Sequence, residues 1–285
     1  MPKNKRVAVI GAGTMGNGIA HVFASCGHEV FIVDLSRDAL DRALGSIEKN
    51  LDRQVKKGIH RPEHKKQTLS RLKISENLKE AVSEASLVIE AVSEKISVKA
   101  DIFEQLDRLS PPDCILASNT SSLSITEIAS HTRRKDKVIG MHFMNPVPVM
   151  KLVEVIRGYF TANKVVEEIF SLIKVLNKTP VLSEDYPGFV ANRILMPMIN
   201  EAIYALHEGV AKVEDIDEIM RLGMAHPMGP LQLADFIGLD ICLSILKVLH
   251  EGFGQSKYAP CPLLVNMVKG GALGRKTGRG FYTYD

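Results

Sequence analysis

Short apolar runs alternate with segments of helical periodicity over residues 1–185. The runs Arg6–Ile10, Glu29–Val33 and Leu87–Glu90 are rich in β-branched residues and lie between turn-forming residues, which predicts short buried strands. The segments between such runs repeat apolar residues every three or four positions, which predicts helices. Strands that alternate with helices in this way are typical of an α/β fold with a mostly parallel sheet.

The pattern changes at residues 185–188, which read Asp-Tyr-Pro-Gly. The sequence therefore predicts a Rossmann-type dinucleotide-binding domain over residues 1–185 and an all-α domain over residues 186–285. The predicted helices of the second domain cover residues 189–207, 213–222, 231–236, 239–250 and 263–269. They carry more Leu, Ile and Met than one small bundle needs, so we expect this domain to bind substrate and to form a homodimer.

A glycine motif lies directly after the first predicted strand. Gly11, Gly13 and Gly16 have the spacing G-x-G-x-x-G, a helical pattern follows, and Asp34 ends the next strand 18 residues after Gly16. A glycine-rich turn without a ligand is the alternative, but the whole context is that of a dinucleotide site, with the acid accepting hydrogen bonds from the adenine ribose. The predicted cofactor is NAD, bound by Gly11, Ala12, Gly13, Thr14, Met15, Gly16 and Asp34.

A helical insertion follows the second strand and departs from a plain dinucleotide fold. Apolar residues recur at helical spacing over residues 36–66, which predicts a helical hairpin. Residues 48–66 contain seven Lys or Arg and three Asp or Glu, a net charge of +4. Two interpretations stay open at this point: a solvated basic face, or an anion-binding flap for a polyphosphate substrate.

The stretch from Ser118 to Glu154 holds the candidate chemistry. Residues 118–122 read Ser-Asn-Thr-Ser-Ser and follow an apolar run, so they lie at the carboxyl end of a predicted strand, where open α/β sheets bind ligands. His142 lies on the strand Val138–Phe143, and Glu154 lies on the next strand between two large apolar residues. The pair is either a structural histidine with an edge-strand glutamate facing water, or a general base oriented by a carboxylate. The polar cluster nearby favours the second interpretation.

The composition of the chain limits the classes of protein to which it can belong. The chain has 285 residues, 45% hydrophobic content and a net charge of +3, which provides an ample core and gives no indication of nucleic-acid binding. The four cysteines form no C-x-x-C pair, which predicts reduced thiols in a cytoplasmic protein. No apolar run approaches the length of a membrane span, and no metal site is expected.

Several motifs together resemble the 3-hydroxyacyl-CoA dehydrogenases, and most closely the bacterial single-function 3-hydroxybutyryl-CoA members of that family. The resemblance covers essentially the whole chain. The motifs are the glycine turn at 11–16, Ser-Asn-Thr-Ser-Ser-Leu at 118–123, His-Phe-Met-Asn-Pro at 142–146, Asp-Tyr-Pro-Gly-Phe-Val-Ala-Asn-Arg at 185–193, Pro-Met-Gly-Pro at 227–230 and Lys-Thr-Gly at 276–278.

The resemblance implies a reversible, NAD-dependent oxidation of an (S)-3-hydroxyacyl-CoA, with 3-hydroxybutyryl-CoA as the expected substrate, to the 3-ketoacyl-CoA. It implies that His142 is the general base, that Glu154 is its partner, and that Ser121 and Asn192 position the substrate. The further NAD-binding residues that it implies are Glu94, Lys99, Ser121, Asn145 and Lys276. In the basic hairpin, Asn50 and Lys57 match positions that contact coenzyme A in relatives, and the adjacent Lys56 is predicted to bind the substrate with them.

Two alternative functions remain for a chain with this fold. A related dehydrogenase of a sugar acid (gulonate-type) would bind a substrate without phosphates, and the +4 hairpin argues against it. A non-catalytic structural relative would share the fold without the chemistry. The intact set Ser121, His142, Glu154 and Asn192 argues against that alternative.

Overall fold

The computed structural model describes residues 5–284. The chain divides into two compact units, Met1–Asp185 and Tyr186–Asp285. The first unit is a sheet with helices, and the second is helical apart from short turns and isolated bridges.

The first unit contains one eight-stranded sheet. Its strands are β1 (Arg6–Ile10), β2 (Glu29–Val33), β3 (Leu72–Ser75), β4 (Leu87–Glu90), β5 (Ile115–Ser118), β6 (Val138–Phe143), β7 (Leu152–Arg157) and β8 (Thr179–Glu184). The order across the sheet is β3-β2-β1-β4-β5-β6-β7-β8. Strand β7 is antiparallel to β6, and every other neighbouring pair is parallel. The predicted, mostly parallel α/β sheet is confirmed.

Seven helices lie in residues 5–185, the described part of this unit, and the sequence explains where several of them begin. They are α1 (Thr14–Ser25), α2 (Arg37–Lys56), α3 (Pro62–Ser70), α4 (Leu78–Val82), α5 (Ile96–Leu109), α6 (Ile125–Ser130) and α7 (Asn163–Val175), with a 3₁₀ turn at Lys135–Lys137. Ser36 caps α2, because its Oγ accepts from Ala39 N at 3.3 Å. Pro62 occupies the first position of α3, where its missing N–H costs nothing. Helices α2 and α3 form the predicted hairpin, and Leu40, Ile47 and Leu51 are its buried apolar residues.

The central strands end together at one edge of the sheet. The register pairs Ile10 with Glu90 and Glu90 with Ser118. Strands β4 and β5 are buried at every residue, as expected for parallel strands with both faces covered. The glycine turn after β1 and the polar cluster after β5 are therefore held at the same edge.

The second unit is a small helical core. Its helices are α8 (Ala191–His207), α9 (Val213–Glu218), α10 (Pro230–Ile237), α11 (Leu239–Phe253) and α12 (Pro262–Lys269), with a π-helical turn at Ile219–Gly223 and 3₁₀ turns at Ser256–Tyr258 and Arg275–Thr277. Buried Asp235 holds the C-terminal segment, because it accepts hydrogen bonds from Phe281 N, Tyr282 N and the Tyr284 hydroxyl at 2.9–3.0 Å. Within residues 5–284, none of the helices combines the length and apolarity needed to cross a membrane.

Candidate active site

The three glycines of the turn between β1 and α1 differ in the space around them. Gly11 has a φ of +104°, and a Cβ atom there would lie 2.6 Å from the carbonyl oxygen of Ala91. A Cβ on Gly16 would lie 1.8 Å from the carbonyl oxygen of Gly11, so only glycine allows this close packing. A Cβ on Gly13 would meet no atom of the described residues within 4 Å. The open space above Gly13, beside the N-terminus of α1, fits the diphosphate of a dinucleotide.

Asp34 follows β2 and connects that strand to the glycine turn. Its Oδ2 accepts from Ala12 N at 2.9 Å, and its Oδ1 accepts from Ser36 N at 3.1 Å. The carboxylate is half-buried. These bonds fix its position beside the phosphate cradle, where a carboxylate can accept hydrogen bonds from ribose hydroxyls. The predicted NAD-binding residues at 11–16 and 34 therefore form one site whose shape fits the cofactor.

Glu94 and Lys99 meet the polar cluster that follows β5. Glu94 Oε1 accepts from Ser121 N at 2.8 Å and from Ser121 Oγ at 3.2 Å. Lys99 Nζ lies 3.2 Å from Glu94 Oε2, and its side chain is 1% exposed. Burial by itself would raise the pKa of Glu94, but the Lys99 charge and the hydrogen bonds from Thr120 and Ser121 outweigh it and hold the pKa below its usual value. Glu94 thus remains a charged acceptor that orients Ser121.

His142 and Glu154 form a buried pair across two antiparallel strands. The register of β6 and β7 places the two residues opposite each other, and His142 Nδ1 lies 3.0 Å from Glu154 Oε2. Their residues are 8% and 4% exposed. The edge-strand interpretation of Glu154 is wrong, because β7 lies between β6 and β8. A carboxylate that binds one imidazole nitrogen fixes the ring and stabilises its cationic form.

Two further residues support this pair: Asn119 of the polar cluster, and Lys178, which the sequence did not single out. Asn119 Oδ1 accepts from Phe143 N at 2.9 Å, which joins the polar cluster to the residue after His142. Buried Lys178 donates to Val147 O at 2.6 Å and to Met150 O at 2.5 Å. It therefore holds the connection between β6 and β7. Asn145 lies in this connection and is exposed.

A cationic cavity of about 900 Å³ lies between the hairpin, α1 and the connection after β6. Of the three predicted substrate-binding residues of the hairpin, Asn50 and Lys57 are in its lining, whereas Lys56 is exposed and is not in the lining. The further cations that line it are Arg53, Arg71, Lys151 and Lys178. This arrangement concentrates positive charge around one concave surface, which suits a phosphate-rich ligand.

Three histidines, also outside the sequence prediction, line the same cavity. His21 is 2% exposed, and burial together with the neighbouring His60 and His64 lowers its pKa to about 4. His60 and His64 stack with their ring centroids 4.0 Å apart. Burial, His60 and Arg71 also lower the pKa of His64. The lowered pKa values of His21 and His64 keep these two side chains uncharged at neutral pH, so the lysines and arginines carry positive charge on this surface without them.

The remaining predicted residues belong to the second unit. Asn192 lies in the first turn of α8 and is 8% exposed. Lys276 lies in the last 3₁₀ turn, and its Nζ is 2.6 Å from Asp240 Oδ1 and 2.7 Å from Asp240 Oδ2. This ion pair fixes the ammonium of Lys276 at the start of α11.

Both parts of the chain match known family models. Residues 6–186 match the model of the NAD-binding domain of 3-hydroxyacyl-CoA dehydrogenases, and residues 188–284 match the model of the C-terminal domain. The chain belongs to the 3-hydroxyacyl-CoA dehydrogenase family. The resemblance inferred from the motifs is thereby confirmed, as are the enzyme class and NAD as the cofactor.

Individual relatives are similar in sequence or structure to this dehydrogenase over nearly its whole length. It is 55% identical to a probable 3-hydroxybutyryl-CoA dehydrogenase of Bacillus subtilis, over 99% of this chain and 98% of that protein. It is 54% identical to the 3-hydroxybutyryl-CoA dehydrogenase of Bradyrhizobium diazoefficiens, over 98% of this chain and 95% of that protein. The crystal structure of (S)-3-hydroxybutyryl-CoA dehydrogenase from Ralstonia eutropha has a TM-score of 0.96, 46% identity and full coverage of both chains. The predicted fold class is confirmed.

Proposed function

We propose that this dehydrogenase interconverts (S)-3-hydroxybutyryl-CoA and acetoacetyl-CoA with His142 as its general base. The observation that carries the proposal is the buried pair of His142 and Glu154 at 3.0 Å, next to the polar cluster after β5. With Nδ1 donating to the carboxylate, Nε2 is the nitrogen that receives the proton of the substrate hydroxyl. Glu154 then stabilises the imidazolium that forms. General-base assistance of this kind is typically worth about 10²–10⁴-fold in rate.

The chain contributes positioning as well as proton transfer. Ser121 is oriented by Glu94 and can donate its hydroxyl to the reacting oxygen or to the thioester carbonyl of the substrate. The family resemblance adds Asn192 of the second unit as a further substrate-positioning residue. NAD, when bound, supplies the hydride acceptor for C3 of the substrate.

The proposed NAD site consists of the glycine turn, Asp34 and the residues that the resemblance adds. Glu94, Asn145 and Lys276 are the proposed further contacts, with Ser121 beside Glu94. Lys99 serves this site through Glu94, because its own ammonium is buried. Asp34 favours NAD over NADP, since its charge repels a 2′-phosphate and its oxygens suit free hydroxyls.

Coenzyme A is the proposed ligand of the cationic cavity. Asn50 and Lys57 line it, and Lys56 adds charge from the same helix. The sugar-acid alternative is not favoured, because its substrate has no phosphate for these cations and because the relatives named above are 3-hydroxybutyryl-CoA dehydrogenases.

The substrate proposal is tested by comparing acyl-chain lengths. Purified wild-type enzyme is given NADH with acetoacetyl-CoA or with longer 3-ketoacyl-CoAs, and the nicotinamide absorbance is followed. The proposal requires turnover of acetoacetyl-CoA with a kcat/KM at least equal to that of the longer substrates. Turnover of only the longer substrates would contradict the proposed chain length and leave the reaction class intact.

A homodimer formed through the second unit is the proposed assembly. Large apolar side chains are exposed on this unit, in and around the π-helical turn and on the helices that follow it: Ile219, Leu222, Met224, Phe236 and Ile241. Burying such residues in a partner stabilises an obligate interface. Sedimentation of wild-type enzyme and of Leu222→Asp tests this, and a monomeric wild-type enzyme would contradict it. The cytoplasm is the proposed location, in keeping with four unbridged cysteines.

A further inference from the structure

Glu90 is a buried carboxylate behind the polar cluster, and the family motifs do not include it. It ends β4 and is 0% exposed. Its Oε1 accepts from Val92 N and from Lys99 Nζ, both at 2.7 Å, and its Oε2 accepts from Ser118 Oγ at 2.6 Å. A buried charge is costly unless it is paired and hydrogen-bonded, and Glu90 has both kinds of partner.

Lys99 links this carboxylate to Glu94. Its ammonium lies between Glu90 Oε1 and Glu94 Oε2, at 2.7 Å and 3.2 Å. The other oxygen of Glu94, Oε1, accepts from Thr120 Oγ1 at 2.5 Å and from Ser121 N at 2.8 Å. Two carboxylates therefore share one buried ammonium, and each carboxylate also binds the segment 118–121.

These contacts close into a ring. Ser118 binds Glu90 at one end of the segment, and Ser121 binds Glu94 at the other end. Thr120 N also donates to Ser118 Oγ at 3.2 Å, which links the Glu94-binding residue Thr120 to the Glu90-binding residue Ser118. Glu94 binds the Ser121 hydroxyl at 3.2 Å, and the buried Lys99 and Glu90 support Glu94 from behind. Networks of this kind fix geometry only when every member is satisfied.

We propose that Glu90 is a positioning residue for the dehydrogenase reaction, which acts through Lys99 and Glu94 to hold Ser121 in its working orientation. The inference rests on the proposed function, in which Ser121 contacts the substrate. Lys99 is then a structural cation that keeps two carboxylates together. Its 1% exposure agrees with this role.

The test uses three variants and one matched control. Lys99→Met leaves the buried carboxylate of Glu90 and the partly exposed carboxylate of Glu94 without their shared cation, and Glu90→Gln removes one of the two negative charges. The double variant leaves Glu94 without its like-charged neighbour. The control is Asp107→Asn on the same helix as Lys99, since Asp107 pairs with Arg133 and Arg134 at 3.3 Å and 2.9 Å.

Reduction of acetoacetyl-CoA by NADH and thermal unfolding are measured for every variant. We expect Lys99→Met to lower kcat by about tenfold or more, and the added Glu90→Gln to restore it by about threefold or more, because contacting residues couple non-additively. Asp107→Asn should lower the unfolding temperature and leave kcat unchanged. Inactive wild-type enzyme would refute the proposed function itself. If wild-type enzyme is active and both single variants keep its kcat, the role of Glu90 is refuted and the proposed function is not.

A pH profile separates positioning from a general loss of structure. Lys99 and Glu90 are the charged side chains that surround Glu94 from α5 and β4. Loss of the Lys99 charge favours protonation of Glu94, and a protonated Glu94 is a poorer acceptor for Ser121 N. In the reduction direction, where a protonated His142 is the reactive form, the acid-side loss of kcat should begin at higher pH in Lys99→Met than in wild type. The proposal would be overturned if the pH profile of Lys99→Met matched that of wild type and its loss of kcat were no larger than the fraction of unfolded enzyme accounts for.

Discussion

His142 Nδ1 lies 3.0 Å from Glu154 Oε2, and the backbone register of β6 and β7 holds the two residues opposite each other. The pairing of β6 with β7 is the one antiparallel pairing among the eight strands of the described residues, so the proposed catalytic pair lies where the sheet changes direction. Both side chains are buried and in contact, which leaves the imidazole little freedom to rotate. The carboxylate can therefore act on the ring both as an orienting group and as a counter-charge.

Glu154→Gln should lower kcat while leaving both KM values close to wild type. The glutamine keeps an acceptor for His142 Nδ1 and removes only the charge that stabilises the imidazolium. We expect a loss of about 10- to 10²-fold, below the ~10²–10⁴-fold typical of removing a general base. Steady-state kinetics in both directions measure it. Glu167→Gln, on the exposed face of α7, is the control and should be neutral; equal kcat for wild type and Glu154→Gln would show that the charge is not used.

Asp34→Asn should weaken the preference for NAD over NADP. The amide retains an acceptor for one of the backbone N–H groups of Ala12 and Ser36 but removes the charge that repels a 2′-phosphate. We expect the ratio of kcat/KM for NADPH to that for NADH to rise by about tenfold, which is ~1.4 kcal/mol of discrimination. Wild-type enzyme that uses NADPH as well as NADH would contradict the proposed role of Asp34.

Lys57→Ala should raise the KM for acetoacetyl-CoA, because Lys57 lines the cationic cavity. Lys56→Ala should have a smaller effect, since Lys56 is outside the lining. A rise of about two- to fivefold is expected for Lys57 at low salt, and it should shrink at high salt through screening. Lys66→Ala, an exposed lysine of the same hairpin, is the control. If all three variants have the same KM as wild type, the hairpin is only a solvated face.

The stability of the first unit should fall on acidification because of His21. Burial, His60 and His64 lower the folded-state pKa of His21 to about 4, below the ordinary value of 6.5. Between these values the unfolded chain binds more protons, so stability is fully present above pH 6.5 and is lost as the pH falls toward 4. The contribution of His21 between pH 7 and pH 5 is about 2 kcal/mol. Urea unfolding of wild type and His21→Leu at both pH values measures it; an equal acid loss in the two proteins would contradict it.

The parts of the fold that the sequence predicted are those set by local pattern. The strands Arg6–Ile10, Glu29–Val33 and Val138–Phe143 have the predicted bounds, because a turn former follows each run directly or, for Val138–Phe143, after Met144. The helix predicted at 213–222 instead ends at Glu218 and continues as the π-helical turn Ile219–Gly223. Apolar spacing alone does not distinguish an α-helix from a wider turn, since both place residues three to five apart on one side.

The parts of the site that the sequence missed depend on long-range contacts. Glu90 is a single acid at the end of an apolar strand, and only the pairing with Ser118 and Lys99 shows that it is buried and paired. Lys178 reads as a surface lysine, and only the fold places its ammonium against the carbonyls of Val147 and Met150. The water-facing alternative for Glu154 depended on where β7 lies in the sheet, which strand propensity does not determine.

The most direct test of the account is the turnover of acetoacetyl-CoA with NADH by wild-type enzyme and by His142→Gln. Glutamine preserves much of the size and polarity of the imidazole and cannot exchange a proton near neutral pH. We expect active wild-type enzyme and a kcat about 10²–10⁴-fold lower for His142→Gln, with the KM for acetoacetyl-CoA and NADH nearly unchanged, because only proton transfer in the transition state is removed. A His142→Gln enzyme with near-normal kcat would contradict it.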